Sequence, residues 1–336
     1  TVDPAPGLDR DGESLIWTIP PSGGILRWVV DLDGAEDATI HHGTAWALFR
    51  LEDLVPAMAT KSRTGATSRT RLRVVDTSGR SYISPYRPID GWWEIDNPTR
   101  RFDRPTGWVI AGALTARRDE IDGIRIAIAS PKGFGARHMD TLAFIAWHLP
   151  YYKALFPEFP DRLLIVTAGD PMFRGGLSAP NSLFMHVDRP LISANTTSTL
   201  LHELFHVGLG GRAGPGGDWM VEGLAEYYSH ELLRRTGSIT EERHQKALAW
   251  FAEYGASVTT LITDSSRGPT TWRAVTVFEA LDREIRKKSN QQHSLDDVVS
   301  VLSRGNDPLT LRRLRDAVES VLGDSARTLS DEELPL

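Results

Sequence analysis

The sequence predicts an α+β protein with a β-rich N-terminal part and a helical C-terminal part. Three observations predict it. From Leu15 to about Ser130 the apolar runs are short, β-branched and broken by Gly and Pro, the punctuation of strands. Beyond Arg137 helical spacing enters, and after Ser238 only helical patterns are left. At 336 residues the chain is long enough for two domains and a helical appendage. The expected organisation is a flexible polar segment over 1–14, a β-sandwich-like domain over 15–130, a mixed catalytic domain over 131–237, a helical domain over 238–325 and a tail over 326–336.

In order, strands are expected over 15–19, 25–31, 71–76, 108–112 and 124–129. Lys61, Arg63, Arg69, Arg71 and Arg73 lie in a stretch without acids. A solvated loop and strand edge is expected there, with contact to an anionic surface as the alternative. Trp92 and Trp93 are expected to pack in a core or domain interface rather than line a groove. A helix over 137–156 carries Leu142, Ile145 and Leu149 at helical spacing, with Pro150 kinking or ending its regular part. Then follow a buried strand over 162–167, a loop over 175–180, a strand over 182–188 and a helix over 193–209. The glycine-rich stretch 208–217 cannot stay helical, and Asp218 is placed to N-cap the next helix, to about 235. Ser238-Ile-Thr-Glu241 reads as a capping box before a helix to about 254. Helices over 272–288, from Ser294 and over 308–322 complete the chain.

A net charge of -6 argues against nucleic acid as the main partner. No apolar run reaches the roughly 18 residues of a membrane-spanning helix. Cysteine is absent, so disulfides are excluded and any zinc site must use N and O ligands. The polar start at Thr1, with two prolines before Ser14, leads to the expectation of an exported protein of the bacterial periplasm or exterior.

The chemistry lies between Thr199 and Tyr228. His202-Glu203-Leu-Phe-His206 is H-E-x-x-H. On a helix, positions i and i+4 share one face, about 5–6 Å apart at Cβ, which lets two imidazoles converge on one Zn2+. Glu203 is then placed to act as general base on a water at the metal. A catalytic zinc has three protein ligands and an open position, and Glu222 and Glu226 compete for the third place. They lie one turn apart on the same helix face, so both can approach.

Trp219-Met-Val-Glu-Gly-Leu-Ala225 resembles the W-x-x-E-G-x-x segment that carries the third ligand in gluzincin metallopeptidases such as aminopeptidase N. The resemblance favours Glu222 as ligand and leaves Glu226 to accept the free N–H of a ligand His. It is most specific to the glycyl aminopeptidase family, without that family's PDZ module. Arg101-Phe-Asp-Arg-Pro-Thr-Gly107, Gly175-Gly-Leu177, Leu281-Asp-Arg-Glu-Ile-Arg286 and Ser294-Leu-Asp-Asp297 look like the family's P-T-G, G-G-L, L-D-x-x-I-R and S-L-D-D segments. The family's fold implies an N-terminal β domain, a thermolysin-like catalytic domain and a helical domain.

Two positions depart from the family. The acidic residue after G-G-L, which binds a substrate's free amine there, is Ser178 here. The Tyr that steadies the oxyanion corresponds to Thr271. Tyr227, Tyr228, His230 and Arg212 are candidates to replace it. The expected activity is zinc-dependent hydrolysis of peptides or proteins, with endopeptidase or atypical substrate choice favoured by Ser178. Aminopeptidase activity of the glycyl type is one alternative, and a weak or inactive zinc-stabilised binding protein the other. The 182–188 strand is expected to offer its edge to an extended peptide. A delivery or adaptor protein is a further expected kind of partner, its identity open.

Overall fold

The computed structural model describes residues 2–12, 14–32, 38–55, 59–97, 103–305 and 307–335. The expected segment 101–107 therefore has Arg101 and Phe102 outside the described residues. The N-terminal part folds as short strands: β1 (Leu8–Asp11), β2 (Ser14–Trp17), β3 (His41–His42), β4 (Trp46–Arg50), β5 (Thr70–Leu72), β6 (Ser81–Ile83), β7 (Arg87–Ile89), β8 (Trp92–Ile95) and β9 (Trp108–Gly112), with one helical turn, α1 (Leu51–Leu54). β1 and β2 form a hairpin, so part of the segment expected to be flexible is paired. The other strands form two antiparallel sheets, β3-β4-β9-β6 and β5-β8-β7. Both contribute to one buried cluster, with Val109 from one sheet and Ile95, Leu72 and Trp93 from the other. Trp93 therefore faces inward, as expected, while its neighbour Trp92 lies on the opposite face of the sheet.

The 25–31 run is not a strand. Among the described residues its ladder pairing is a single bridge from Trp28 to Val2, beside which Asp3 N donates to Arg27 O, and Ile25 and Val29 are exposed. β-branched residues gave the strand pattern, but no neighbouring strand is there to complete a ladder.

The largest sheet, of five strands, is mixed. It consists of β10 (Leu114–Ile121), β11 (Ile124–Pro131), β12 (Arg162–Ala168), β13 (Gly176–Ala179) and β14 (Ser182–His186), in the order β10-β11-β12-β14-β13. β11, β12 and β14 are mutually parallel, and the two outer strands run antiparallel to them. The sheet thus begins at Leu114, ahead of the pattern change near 131. β10, Leu-Thr-Ala-Arg-Arg-Asp-Glu-Ile, is an edge strand with a polar exposed face, which hides it from a search for apolar runs. β12 is buried from Leu163 on, as a central parallel strand requires.

Eight helices are described: α1, α2 (His138–Leu155), α3 (Thr199–Leu209), α4 (Asp218–Arg235), α5 (Glu241–Gly255), α6 (Pro269–Lys288), α7 (Leu295–Leu302) and α8 (Leu311–Leu322). α2 runs through Pro150 rather than stopping there. Two caps differ from expectation. Thr240, not Ser238, caps α5, accepting from Arg243 N. Gly217 precedes α4, and the Asp218 carboxylate instead accepts from Ser266 N at 2.6 Å. Ser294 does cap α7, in a capping box with Asp297. One continuous core joins the sheet to α2–α8 and takes in Ala326, Leu329 and Leu334 of the tail.

Candidate metal centre

α3 and α4 pack face to face, with Phe205 stacked on Tyr228 at 5.2 Å between ring centroids. Ser198 Oγ caps α3 by accepting from Leu201 N at 3.3 Å. Leu200, Leu201, Leu204 and Phe205 bury one face of α3, and Tyr152 Oη donates to Leu201 O at 2.5 Å. This turns His202 and His206 toward α4. Gly210, at φ 62°, ends α3 in a conformation that suits glycine and lets the chain turn back.

The two imidazoles and Glu222 converge. His202 Nε2 is 3.1 Å from His206 Nε2 and 3.3 Å from Glu222 Oε2, and His206 Nε2 is 3.5 Å from Glu222 Oε1. Two ligand atoms each about 2.05 Å from a tetrahedral zinc lie about 3.3 Å apart. The two imidazoles are thus at the edge length of a zinc site, each faces one oxygen of Glu222, one ligand atom from each of the three residues lies within 4.8 Å of the others, and an N2O set without sulfur suits Zn2+. Among the described residues, His202, His206 and Glu222 form the only such cluster. Glu226 stands on the other side of His202, its Oε2 3.1 Å from Nδ1, so Nδ1–H donates to it and Nε2 is the nitrogen turned toward His206 and Glu222. Spacing alone left Glu222 and Glu226 open, and the geometry separates them.

The electrostatics follow from the crowding. Burial works to lower the His202 pKa, but Glu222, Glu226 and Glu203 outweigh it and hold the ring well above its usual range. His206 is pushed down to about 4 by burial and by His202. Burial opposes ionisation of Glu222, yet both histidines keep it below its ordinary value.

Glu203 is 7% exposed, and burial is the main cause of its pKa rising to about 7. The neighbouring Ser178, through its hydroxyl and its backbone N–H, opposes that rise. A Cβ on Gly176 would lie 2.6 Å from Glu203 Cγ and 2.8 Å from Oε1. Glycine at 176 is what lets β13 pass this close to the carboxylate. The 175–180 segment is thus an edge strand, not the expected loop. β14 is paired on both sides, by β12 and β13, so it has no free edge to offer a peptide. Among the described residues, the outermost strands are β10 and β13, and β13 is the one beside Glu203. The sheet is locked to the N-terminal part by Trp108, whose N donates to Ser182 Oγ at 2.9 Å and whose Nε1 donates to Leu177 O at 3.0 Å.

The other candidates are engaged elsewhere. Tyr228 Oη donates to Asp296 at 2.8 Å, and Tyr227 is buried edge-on against Tyr228. His230 lies with Nδ1 2.9 Å from Thr196 O and Nε2 3.3 Å from His244 O. Arg212 is exposed in the α3–α4 loop. Thr271 is buried, its Oγ1 3.0 Å from Ser266 Oγ. Sequence reasoning missed Arg267, whose charge reaches Glu222 from the loop before α6. Only the fold over Asp218 brings it there.

No protein-family model matches the chain, and no curated protein sequence matches it. Solved structures do. An aminopeptidase N family protein from Idiomarina loihiensis aligns with TM-score 0.59 at 18% identity, over 87% of this chain and 56% of that one. An M1 zinc metallopeptidase from Deinococcus radiodurans aligns with TM-score 0.61 at 13% identity, over 96% and 78%. A variant of a two-domain M1 zinc metallopeptidase bound to L-tryptophan aligns with TM-score 0.57 at 13% identity, over 91% and 73%. This chain therefore spans little more than half the length of the first of these, and its mixed α+β fold is similar to that of these M1, aminopeptidase N-like structures.

Proposed function

We propose that this chain is a zinc-dependent peptidase that uses Glu203 as general base. The observation that carries the reading is the 3.1–3.5 Å spacing of three donors from His202, His206 and Glu222. Zn2+ held there supplies an acidified water and an electrophile for the substrate carbonyl. Glu203 takes the proton from that water and passes it to the leaving amine. Ser178, beside Glu203, favours the charged form of its carboxylate. Glu226 fixes the tautomer of His202. The free edge of β13 pairs with an extended peptide, in place of the β14 edge.

Ser178 also bears on substrate choice. It has no charge for a free α-ammonium, and its hydroxyl lies beside Glu203. This favours internal cleavage or an atypical substrate. The M1 structures of similar fold suit the aminopeptidase alternative equally well. A digest of an unbiased peptide library, with free and with blocked N-termini, tests both. Cleavage lost on chelation and restored by zinc supports the peptidase. Equal cleavage of blocked peptides supports internal cutting, and a strict need for a free N-terminus supports the aminopeptidase. A zinc-loaded protein that cleaves nothing supports the zinc-stabilised binding protein instead.

A further inference from the structure

The outer face of the β5-β8-β7 sheet carries charge that the metal centre does not use. Arg69, Arg71 and Arg73 alternate with Thr70 and Leu72. Leu72 pairs with Trp93 across the ladder and packs on the buried cluster, so strand alternation turns the three guanidiniums outward. All three are exposed. Arg71 and Arg73 lie over the Trp92 ring, 5.4 and 5.5 Å from its centroid, which orders them without neutralising them. Glu94 sits opposite Arg71 and 3.7 Å from Arg69. The sequence has no acid between Asp53 and Asp76, although the chain as a whole carries a net charge of -6. Arg69, Arg71, Ile89 and Trp92, with the carboxylates of Asp90 and Glu94, wall a cavity of about 490 Å³, and Arg73 beside it leaves the cations in excess. β5 ends the sheet, and among the described residues it pairs only with β8.

We propose that this face and edge bind an extended acidic polypeptide segment, laid beside β5 as an added strand. Alternate residues of a strand repeat every 6.6–6.8 Å or so, and a peptide with an acid at every second position has the same repeat. Each carboxylate then meets one guanidinium, whose planar fork takes both oxygens. The peptide backbone pairs with the free edge. A lipid surface or a polyphosphate would use the charge and leave the edge unpaired. The rival account is that arginines on an edge strand serve to keep other strands away.

Anisotropy of a labelled peptide alternating Glu with Val tests this, beside a peptide of the same composition with its Glu residues in one block and one with Lys in place of Glu. The alternating peptide binds at least about tenfold more tightly than the block peptide, a difference of about 1.4 kcal/mol. Its binding weakens with salt, and the Lys peptide does not bind. Arg71→Glu with Arg73→Glu abolishes binding. Should that double variant lose its fold by circular dichroism, Arg71→Gln with Arg73→Gln carries the same expectation. Equal binding of the alternating and block peptides, tighter binding to anionic phospholipid vesicles, self-association through this face in place of peptide binding, or no peptide binding at low salt would each overturn the proposal.

Discussion

Ser178 lies beside Glu203, with its hydroxyl and its backbone amide both placed to favour the ionised carboxylate. The edge strand and the helix carrying the H-E-x-x-H motif are thereby joined at the proposed base itself. A hydrogen bond to a charged group contributes about 1.5–3 kcal/mol, and the backbone donor survives any side-chain change. Ser178→Ala is therefore expected to lower kcat roughly tenfold, with zinc content unchanged. Gly176→Ala is expected to cost more, because its Cβ would press on the Glu203 side chain at 2.6 Å. Steady-state kinetics on both variants, beside metal analysis, checks the order. Activity unchanged in Ser178→Ala would remove the positioning role.

The two glutamates of α4 give a second prediction. Glu222 faces both Nε2 atoms, whereas Glu226 faces only Nδ1 of His202. Glu226→Ala is expected to weaken zinc binding about 10- to 100-fold while leaving one ion per chain at saturation. Glu222→Ala removes a direct ligand and is expected to weaken it further. Competition with a chromophoric chelator measures both. The reverse order would make Glu226 the ligand.

Acid stability follows from Glu231, on the buried side of α4. Burial opposes its ionisation, but Arg234 and Arg235 bind it at 2.6 and 2.8 Å and hold its pKa at about 2. The folded value lies below the ordinary one of 4.5. The stability this contributes is therefore complete above about 4.5 and is lost as pH falls toward about 2. A shift of this size corresponds to about 3 kcal/mol. Glu231→Gln is expected to lower the unfolding free energy at neutral pH by that order and to flatten the decline between those pH values. Denaturant titrations at pH near 7 and near 3 test it. Parallel pH curves for the two proteins would contradict it.

The parts of the site that lie within one helix were legible in the sequence, because i and i+4 fix a shared face without any knowledge of the fold. His202, Glu203 and His206 are of this kind. Glu222 against Glu226 was not, since the intervening glycine-rich loop sets the angle between α3 and α4. Gly176 and Ser178 reach Glu203 only because β13 turns back on β14, a pairing more than twenty residues away in sequence from the motif. β13 itself was read as a loop, being four residues long and begun by glycine. In the N-terminal part, strands of three to five residues give too little alternation to mark. The helices after Ser238 were legible in kind, and the caps set by tertiary contacts, such as Asp218 with Ser266, were not.

The account stands most directly on metal content and peptide hydrolysis measured together for the wild type and Glu203→Gln. It predicts one zinc per chain in both proteins, with hydrolysis by the variant reduced at least about a thousandfold, on the scale of a lost general base. Full activity in Glu203→Gln after contaminating proteases are excluded, or a wild type that takes up no stoichiometric zinc, would contradict it.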